Sequence, residues 1–205
     1  MQSQEGNHWD NIYSTKAENE VSWFQSCPKT SMKFVKLFDL PFDANIIDIG
    51  GGDSRFVDAL LDLGYKNIYV LDISVRAIER TKERLGEKAA LVHWIVSDII
   101  KFEPPVQFDL WNDRAAFHFL TKEDSINKYV SIAEAAIKKN GYMVIGTFSH
   151  NGPEKCSGLE IKQYSETSMS ERFGITFDRI TCLHENHTTP NKNVQHFLFC
   201  SFRKK

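Results

Sequence analysis

The chain has 205 residues, 41% hydrophobic and 25% charged, enough for one domain with a substantial core and short for two. Its formal net charge is −2 and its Lys and Arg residues are spread rather than blocked, which speaks against a nucleic-acid partner. No apolar run approaches the ~18 residues of a membrane span, and the polar opening "MQSQEGNHWD" does not read as a secretory signal, so a cytoplasmic protein with no membrane partner is expected. Cys27, Cys156, Cys182 and Cys200 form no CxxC pair, and no His/Cys cluster has metal spacing. Four reduced thiols and no metal site are expected.

Residues 1–28 form a polar lead spotted with Trp9, Tyr13, Trp23 and Phe24. The stretch "TSMKFVKLFDL" then reads as a helix, with Met32, Val35 and the Leu37/Phe38 pair at helical spacing, Thr30 or Ser31 as N-cap, and Pro41 as its end. "NIIDIG" (45–50) is a short apolar strand, "SRFVDALLDLG" (54–64) a helix with a Gly stop, and "NIYVLDIS" (67–74) a second strand. A helix follows at 75–86, a third strand at 91–99, a fourth within 108–116, a helix at 122–141, and a fifth strand at 142–149. A long loop leads to the helix-like "SETSMSERFG" (165–174), and two strands at 177–187 and 193–204 end the chain.

Strands alternating with helices predict parallel crossovers and a doubly wound α/β sheet. The nearly continuous apolar runs of the inner strands suit a sheet covered on both faces. The short link between the last two strands suits an antiparallel pair at the sheet edge.

In such a sheet a ligand sits beyond the carboxyl ends of the strands. The first strand ends there in Asp48-Ile49-Gly50-Gly51-Gly52-Asp53-Ser54-Arg55. Gly50 and Gly52 fit the first two glycines of G-x-G-x-x-G, but the third position is Arg55. Asp53 stands at the start of the next helix, where it can cap free amides in competition with a phosphate. Both departures count against NAD and an oxidoreductase. Asp72 ends the second strand, where a carboxylate reaches a ribose diol, and Asp98 closes the third, where an adenine amine needs an acceptor.

"IIDIGGGDSRF", "VLDIS", "VSDI" and "FDLWNDRAAFHFL" together resemble the class I S-adenosylmethionine-dependent methyltransferases, over about residues 20–204, and within them a set of small stand-alone bacterial enzymes. The resemblance implies a Rossmann-like fold of seven strands, mostly parallel, with an antiparallel C-terminal pair. It implies S-adenosylmethionine as cofactor and S-adenosylhomocysteine as product. Gly50, Gly51 and Gly52 would line the methionine and ribose part, and a missing third glycine is then of no consequence. Asp48 would position the turn or the cofactor's amino group, Asp72 would take the ribose hydroxyls with Ile73 beside the adenine, and Asp98 would take the adenine amine with Ile99 beside it. Asn112 is placed to see the cofactor. The lead (1–28) is expected to fold over the cofactor as an aromatic lid, with Trp23 against it, and residues 29–205 to form the methyltransferase domain.

Methyl transfer from a sulfonium is an in-line displacement that rests mainly on positioning, and needs a base only for a protonated acceptor. His118 and Tyr164 are the candidate catalytic residues, with His150 as a further acceptor contact. Asp113 and Arg114 can form a local ion pair that orients the loop after the fourth strand. His184 and His187, in "HENH", lack a third ligand and read as edge-strand residues rather than a metal site. There is no stacking ladder for bases, and "NDRA" stands where base-methylating enzymes carry Asn-Pro-Pro-Tyr or Asp-Pro-Pro-Tyr. A small-molecule acceptor is favoured over a protein side chain such as lysine. A cofactor-binding module without transfer activity is the alternative from another class. The acceptor and the oligomeric state stay open.

Overall fold

Apolar runs in the middle of the chain become the parallel strands of one sheet. The computed structural model describes residues 4–205. It runs α1 (Gln4–Thr15), α2 (Lys29–Phe38), β1 (Asn45–Ile49), α3 (Phe56–Leu63), β2 (Asn67–Asp72), α4 (Val75–Leu85), β3 (Val92–Val96), β4 (Phe108–Arg114), α5 (Glu123–Ala136) and β5 (Ile137–Phe148). A two-residue hairpin follows, β6 (Lys155–Cys156) and β7 (Leu159–Glu160), then α6 (Glu166–Phe173), β8 (Phe177–Thr188) and β9 (Val194–Lys204).

The seven-stranded sheet has the order β3-β2-β1-β4-β5-β9-β8. β1 pairs in parallel with β2 and β4, and β9 runs antiparallel to both β5 and β8. From β1 the chain winds outward through β2 and β3 on one side, then returns to β4 and winds out the other way. The switch falls between β1 and β4, which puts a crevice over their carboxyl ends.

Alternate strand residues point to opposite faces. Ile47, Ile49, Leu71, Trp111 and Ile145 cluster with Tyr129 and Ala133 of α5 and with Met169 and Phe173 of α6. Ile46, Ile68, Val70, Leu110 and Val144 cluster with Phe34 and Phe38 of α2 and with Phe56 and Leu60 of α3. Both faces are therefore covered, which is why these strands are apolar throughout.

Several local expectations change. α2 starts at Lys29 behind Pro28, so Thr30 and Ser31 are not caps but buried first-turn residues, and Thr30 Oγ1 donates to the Glu185 carboxylate. α5 stops at Ala136, five residues early, because β5 already pairs from Ile137 to Phe108. A register shift between Phe108 and Leu110, with Asn140 at φ 63°, absorbs the extra residues. The polar lead contains a helix, and the long loop after β5 contains a hairpin. Four reduced thiols were expected; instead Cys182 and Cys200, directly opposed on β8 and β9, form a disulfide, and Cys27 and Cys156 are free. No helix among the described residues is long and apolar enough to cross a membrane.

Candidate active site

The turn after β1 is pinned to its neighbour. The Gly50 and Gly51 amides both donate to the Leu71 carbonyl of β2, at 2.7 and 3.2 Å. Gly50 has φ +67°, which an L side chain adopts only with strain, and a Cβ there would lie 2.8 Å from that of Ala116. A Cβ at Gly51 would lie 2.3 Å from Asp48 Oδ2. Gly50 lines the cavity beyond the turn; Gly51 and Gly52 are buried behind it and shape the turn instead.

Three carboxylates surround the turn. Asp72, at the end of β2, accepts the Gly52 amide on Oδ2 at 3.0 Å and the Ser74 amide on Oδ1 at 2.8 Å. Burial pushes it up to about 6. Asp98 lies past the end of β3 rather than in it, and caps a short 3-10 turn by accepting the Ile100 amide at 3.2 Å. Asp72, Ile73, Asp98 and Ile99 all line the cavity that Gly50 opens on. Asp48 is 2% exposed and sits behind the turn. Its Oδ1 accepts from Asn112 Nδ2 at 2.7 Å, while its buried Oδ2 has no partner. Burial raises its pKa to about 7. Asn112 lines an adjoining recess with Ser54, Gln25 and Arg114.

The N-terminal segment forms the facing wall. Trp9, Tyr13 and Trp23 line the cavity, opposite Ala115, Ala116, Phe119, Leu120 and Cys156. Trp9 meets Phe119 edge-on at 5.0 Å and Trp23 at 5.7 Å. Polar contacts hold the segment down. Asp10 accepts from Ser74 Oγ at 2.6 Å and from the Arg76 amide at 3.1 Å. Arg80 donates to the Tyr13 and Lys16 carbonyls. Glu18 takes a two-pronged ion pair from Arg55, at 2.6 and 2.7 Å.

That last contact explains Arg55 and corrects the reading of Asp53. Arg55 occupies the third glycine position to reach the N-terminal segment. Asp53 does not cap the helix: it is held by Arg80 and Arg84 of α4, each at 3.4 Å, and Ser54 Oγ accepts the Phe56 amide at 3.0 Å.

Residues 47–143, from within β1 to within β5 and including this turn, match the family described as a methyltransferase domain. Over these residues the chain is similar to a methyltransferase domain. It is 30% identical over 105 residues to malonyl-[acyl-carrier protein] O-methyltransferase 2 of Ilyobacter polytropus, covering 51% of this chain and 39% of that protein. The chain thus spans less than half the length of that relative. It is 21% identical over 195 residues to EEF1A lysine methyltransferase 2 of Danio rerio, covering 86% of this chain and 84% of that protein. Its fold matches the crystal structure of the N-methyltransferase NodS from Bradyrhizobium japonicum WM9 in complex with S-adenosylhomocysteine, with TM-score 0.70 and 17% identity, covering 95% of this chain and 97% of that one.

The methyltransferase domain offers S-adenosylmethionine a fitting set of groups. Asp48 Oδ2, buried behind the turn beside the cavity, has no hydrogen-bond partner. Asp72 and Asp98 are acceptors for hydroxyls and an amine, and Ile73 and Ile99 provide apolar surface between them. Two expected catalytic residues lie elsewhere. His118 is fully buried in the domain core, accepts the Phe148 amide on Nδ1 at 3.4 Å, and packs 4.8 Å from the Phe148 ring. Burial, with Arg114 adding to it, pushes its pKa to about 3, so it is neutral and lines no part of the cavity. Tyr164 is 1% exposed, packs 5.2 Å from Phe117, and its burial raises its pKa. Neither side chain lines the cavity.

His150 is exposed and lines no part of the cavity. His187 contacts the Ser22 carbonyl at 2.7 Å, whereas His184 faces Glu166. Asp113 and Arg114 do not pair with each other. Asp113 accepts from Tyr129 Oη at 2.6 Å and from the Ala116 and Phe117 amides, which fixes the loop after β4. Cys156 and Phe119 are cavity residues that sequence reasoning passed over. Only the pairing of Cys156 within the hairpin, and the turn that presents Phe119, bring them there.

Proposed function

We propose that this protein transfers the methyl group of S-adenosylmethionine to a small-molecule acceptor held between the end of β4 and the N-terminal segment. The observation that carries the reading is the convergence of Gly50, Asp72 and Asp98 on one cavity whose far wall is aromatic. Asp72 takes the ribose hydroxyls and Asp98 the adenine amine, with Ile73 and Ile99 flanking the ring. Asp48, oriented by Asn112, takes the methionyl ammonium. The cofactor supplies an activated methyl on a positively charged sulfur. Trp9, Trp23 and Phe119 exclude water and hold the acceptor in line, and positioning of this kind supplies much of the rate.

Among the described cavity-lining residues no neutral histidine stands ready as a base. Cys156 is held as a thiol, since burial pushes its pKa to about 11. The N-terminal segment serves as the lid and residues 29–205 as the transfer domain. We place the protein in the cytoplasm, where the Cys182–Cys200 disulfide, with Cys200 buried and Cys182 half-buried, must resist reduction. A second reading, transfer to a protein lysine, is favoured by the coverage of EEF1A lysine methyltransferase 2.

A panel of small acceptors and intact proteins, read by S-adenosylhomocysteine release, tests the reading. Turnover on small molecules supports it; turnover only on protein supports the second. Cofactor binding with no turnover on either would leave a binding module. Thermal stabilisation by NAD and not by S-adenosylhomocysteine would overturn all three.

A further inference from the structure

Arg114 has no part in the cofactor contacts above. It is the last residue of β4, and it lines both the main cavity and the recess beside it. Its Nη1 donates to the Trp23 carbonyl at 3.0 Å. Its Nε and Nη2 are buried and have no partner among the described residues. No ion pair among the described residues satisfies it either; Glu185 and Asp48 act on it only at longer range. Burial lowers its pKa to about 10, which still leaves the guanidinium charged at neutral pH. A desolvated cation with two unused donors is costly unless a ligand pairs with it.

The side chain extends toward β9. The guanidinium lies 5.0 Å over the ring of Phe197, on β9. β9 is separated from β4 by β5, on the side of the sheet opposite to β1, β2 and β3, which bring Asp48, Asp72 and Asp98. The cavity that Arg114 lines is also walled by Trp9, Trp23, Phe119, Leu120 and the neutral Cys156 thiol. Of the acids that line that cavity with it, Asp72 and Asp98 stand at and past the ends of β2 and β3, and Glu5 is exposed. Nε and Nη2 form one edge of the planar guanidinium, the edge that takes both oxygens of a carboxylate.

We propose that Arg114 anchors an anionic group on the methyl acceptor, and that the acceptor is a small, flat or apolar molecule carrying a carboxylate or an equivalent anion. The proposal rests on the methyltransferase reading and narrows it. A buried cation attracts an acid and repels a lysine ammonium, so Arg114 also separates the small-molecule reading from the protein one.

The test titrates benzoate, phenylphosphonate and benzamide into protein saturated with S-adenosylhomocysteine, by calorimetry. The acids should bind at least about tenfold more tightly than the amide, and Arg114→Gln should abolish that gap while changing S-adenosylhomocysteine affinity by less than about threefold. Arg114→Lys should restore part of the gap, and a preserved melting transition shows that each variant is folded. Equal binding of acids and amide, or no binding of any, overturns the proposal. So does a loss in Arg114→Gln that falls on S-adenosylhomocysteine affinity, because the anion would then be the cofactor's own. Failure of the wild type to bind S-adenosylhomocysteine would instead sink the underlying methyltransferase reading.

Discussion

Asp72 already has work to do without a ligand, because both of its oxygens accept backbone amides, from Gly52 and Ser74. Each oxygen keeps a second lone pair for a ribose hydroxyl. Asp72→Ala should therefore lower cofactor affinity by about 1–3 kcal/mol, and also lower stability, since buried amides lose their acceptor. Calorimetry with S-adenosylhomocysteine checks the first; an unaltered affinity would remove Asp72 from the site. Tyr129 is the comparable residue behind β4. Its hydroxyl donates to Asp113 and accepts from Trp111 Nε1 at 2.9 Å. Tyr129→Phe leaves a buried carboxylate oxygen and a buried indole N–H short of a partner, and should cost about 1–3 kcal/mol in denaturant unfolding. The spacing of Asp48, Asp72 and Asp98 is legible in the sequence because each stands at or just past the end of an apolar strand. The roles of Asp53 and Arg55 are not, since their partners, Arg80, Arg84 and Glu18, come from other elements and meet them only in the fold.

At the scale of elements, the parallel strands are legible because burial on both faces leaves an uninterrupted apolar run. The order of the strands follows from the handedness and shortness of their connections. α1 is hidden for the opposite reason. Trp9, Ile12 and Tyr13 are its only strongly apolar residues, too few to mark a period, and the helix is stable through what it touches. Those contacts give the N-terminal segment testable energetics. The Glu18–Arg55 pair is a quarter to a third exposed, at 25% and 33%, so Glu18→Ala alone should cost only about 0.5–1 kcal/mol. Deleting residues 1–28 removes three cavity-lining aromatic side chains at once, and should weaken S-adenosylhomocysteine binding by more than about tenfold. Unchanged affinity in the deleted protein, still folded by circular dichroism, would show that the segment is a structural plug and not a lid.

At the scale of the molecule, the buried acids set stability and binding against each other. Asp48 is raised to about 7, and Asp53, Asp72 and Asp113 to about 6, in each case chiefly by burial. A carboxyl whose folded pKa lies above its unfolded value keeps its proton longer when folded. Its favourable contribution is fully present below the unfolded pKa and is lost as pH rises through the folded one. His118, lowered to about 3, and His187, also lowered by burial, act the other way: their contribution is present above the unfolded value and fades as pH falls below it. Four acids outweigh two histidines, so the ligand-free protein should melt at a higher temperature near about pH 5.5 than near about pH 8. Cofactor binding has the opposite sign, because an ammonium and ribose hydroxyls require ionised Asp48 and Asp72. The rise in melting temperature caused by S-adenosylhomocysteine should therefore grow from about pH 5.5 to about pH 8, with its steepest change near 7 where Asp48 ionises. Asp48→Asn should flatten that growth while raising the melting temperature of the ligand-free protein at the higher pH, since it removes a charge the fold keeps desolvated. A ligand-free melting temperature that climbs with pH, or a ligand effect that shrinks with it, would show that these carboxylates are solvated and that the cavity does not hold them in reserve for the cofactor.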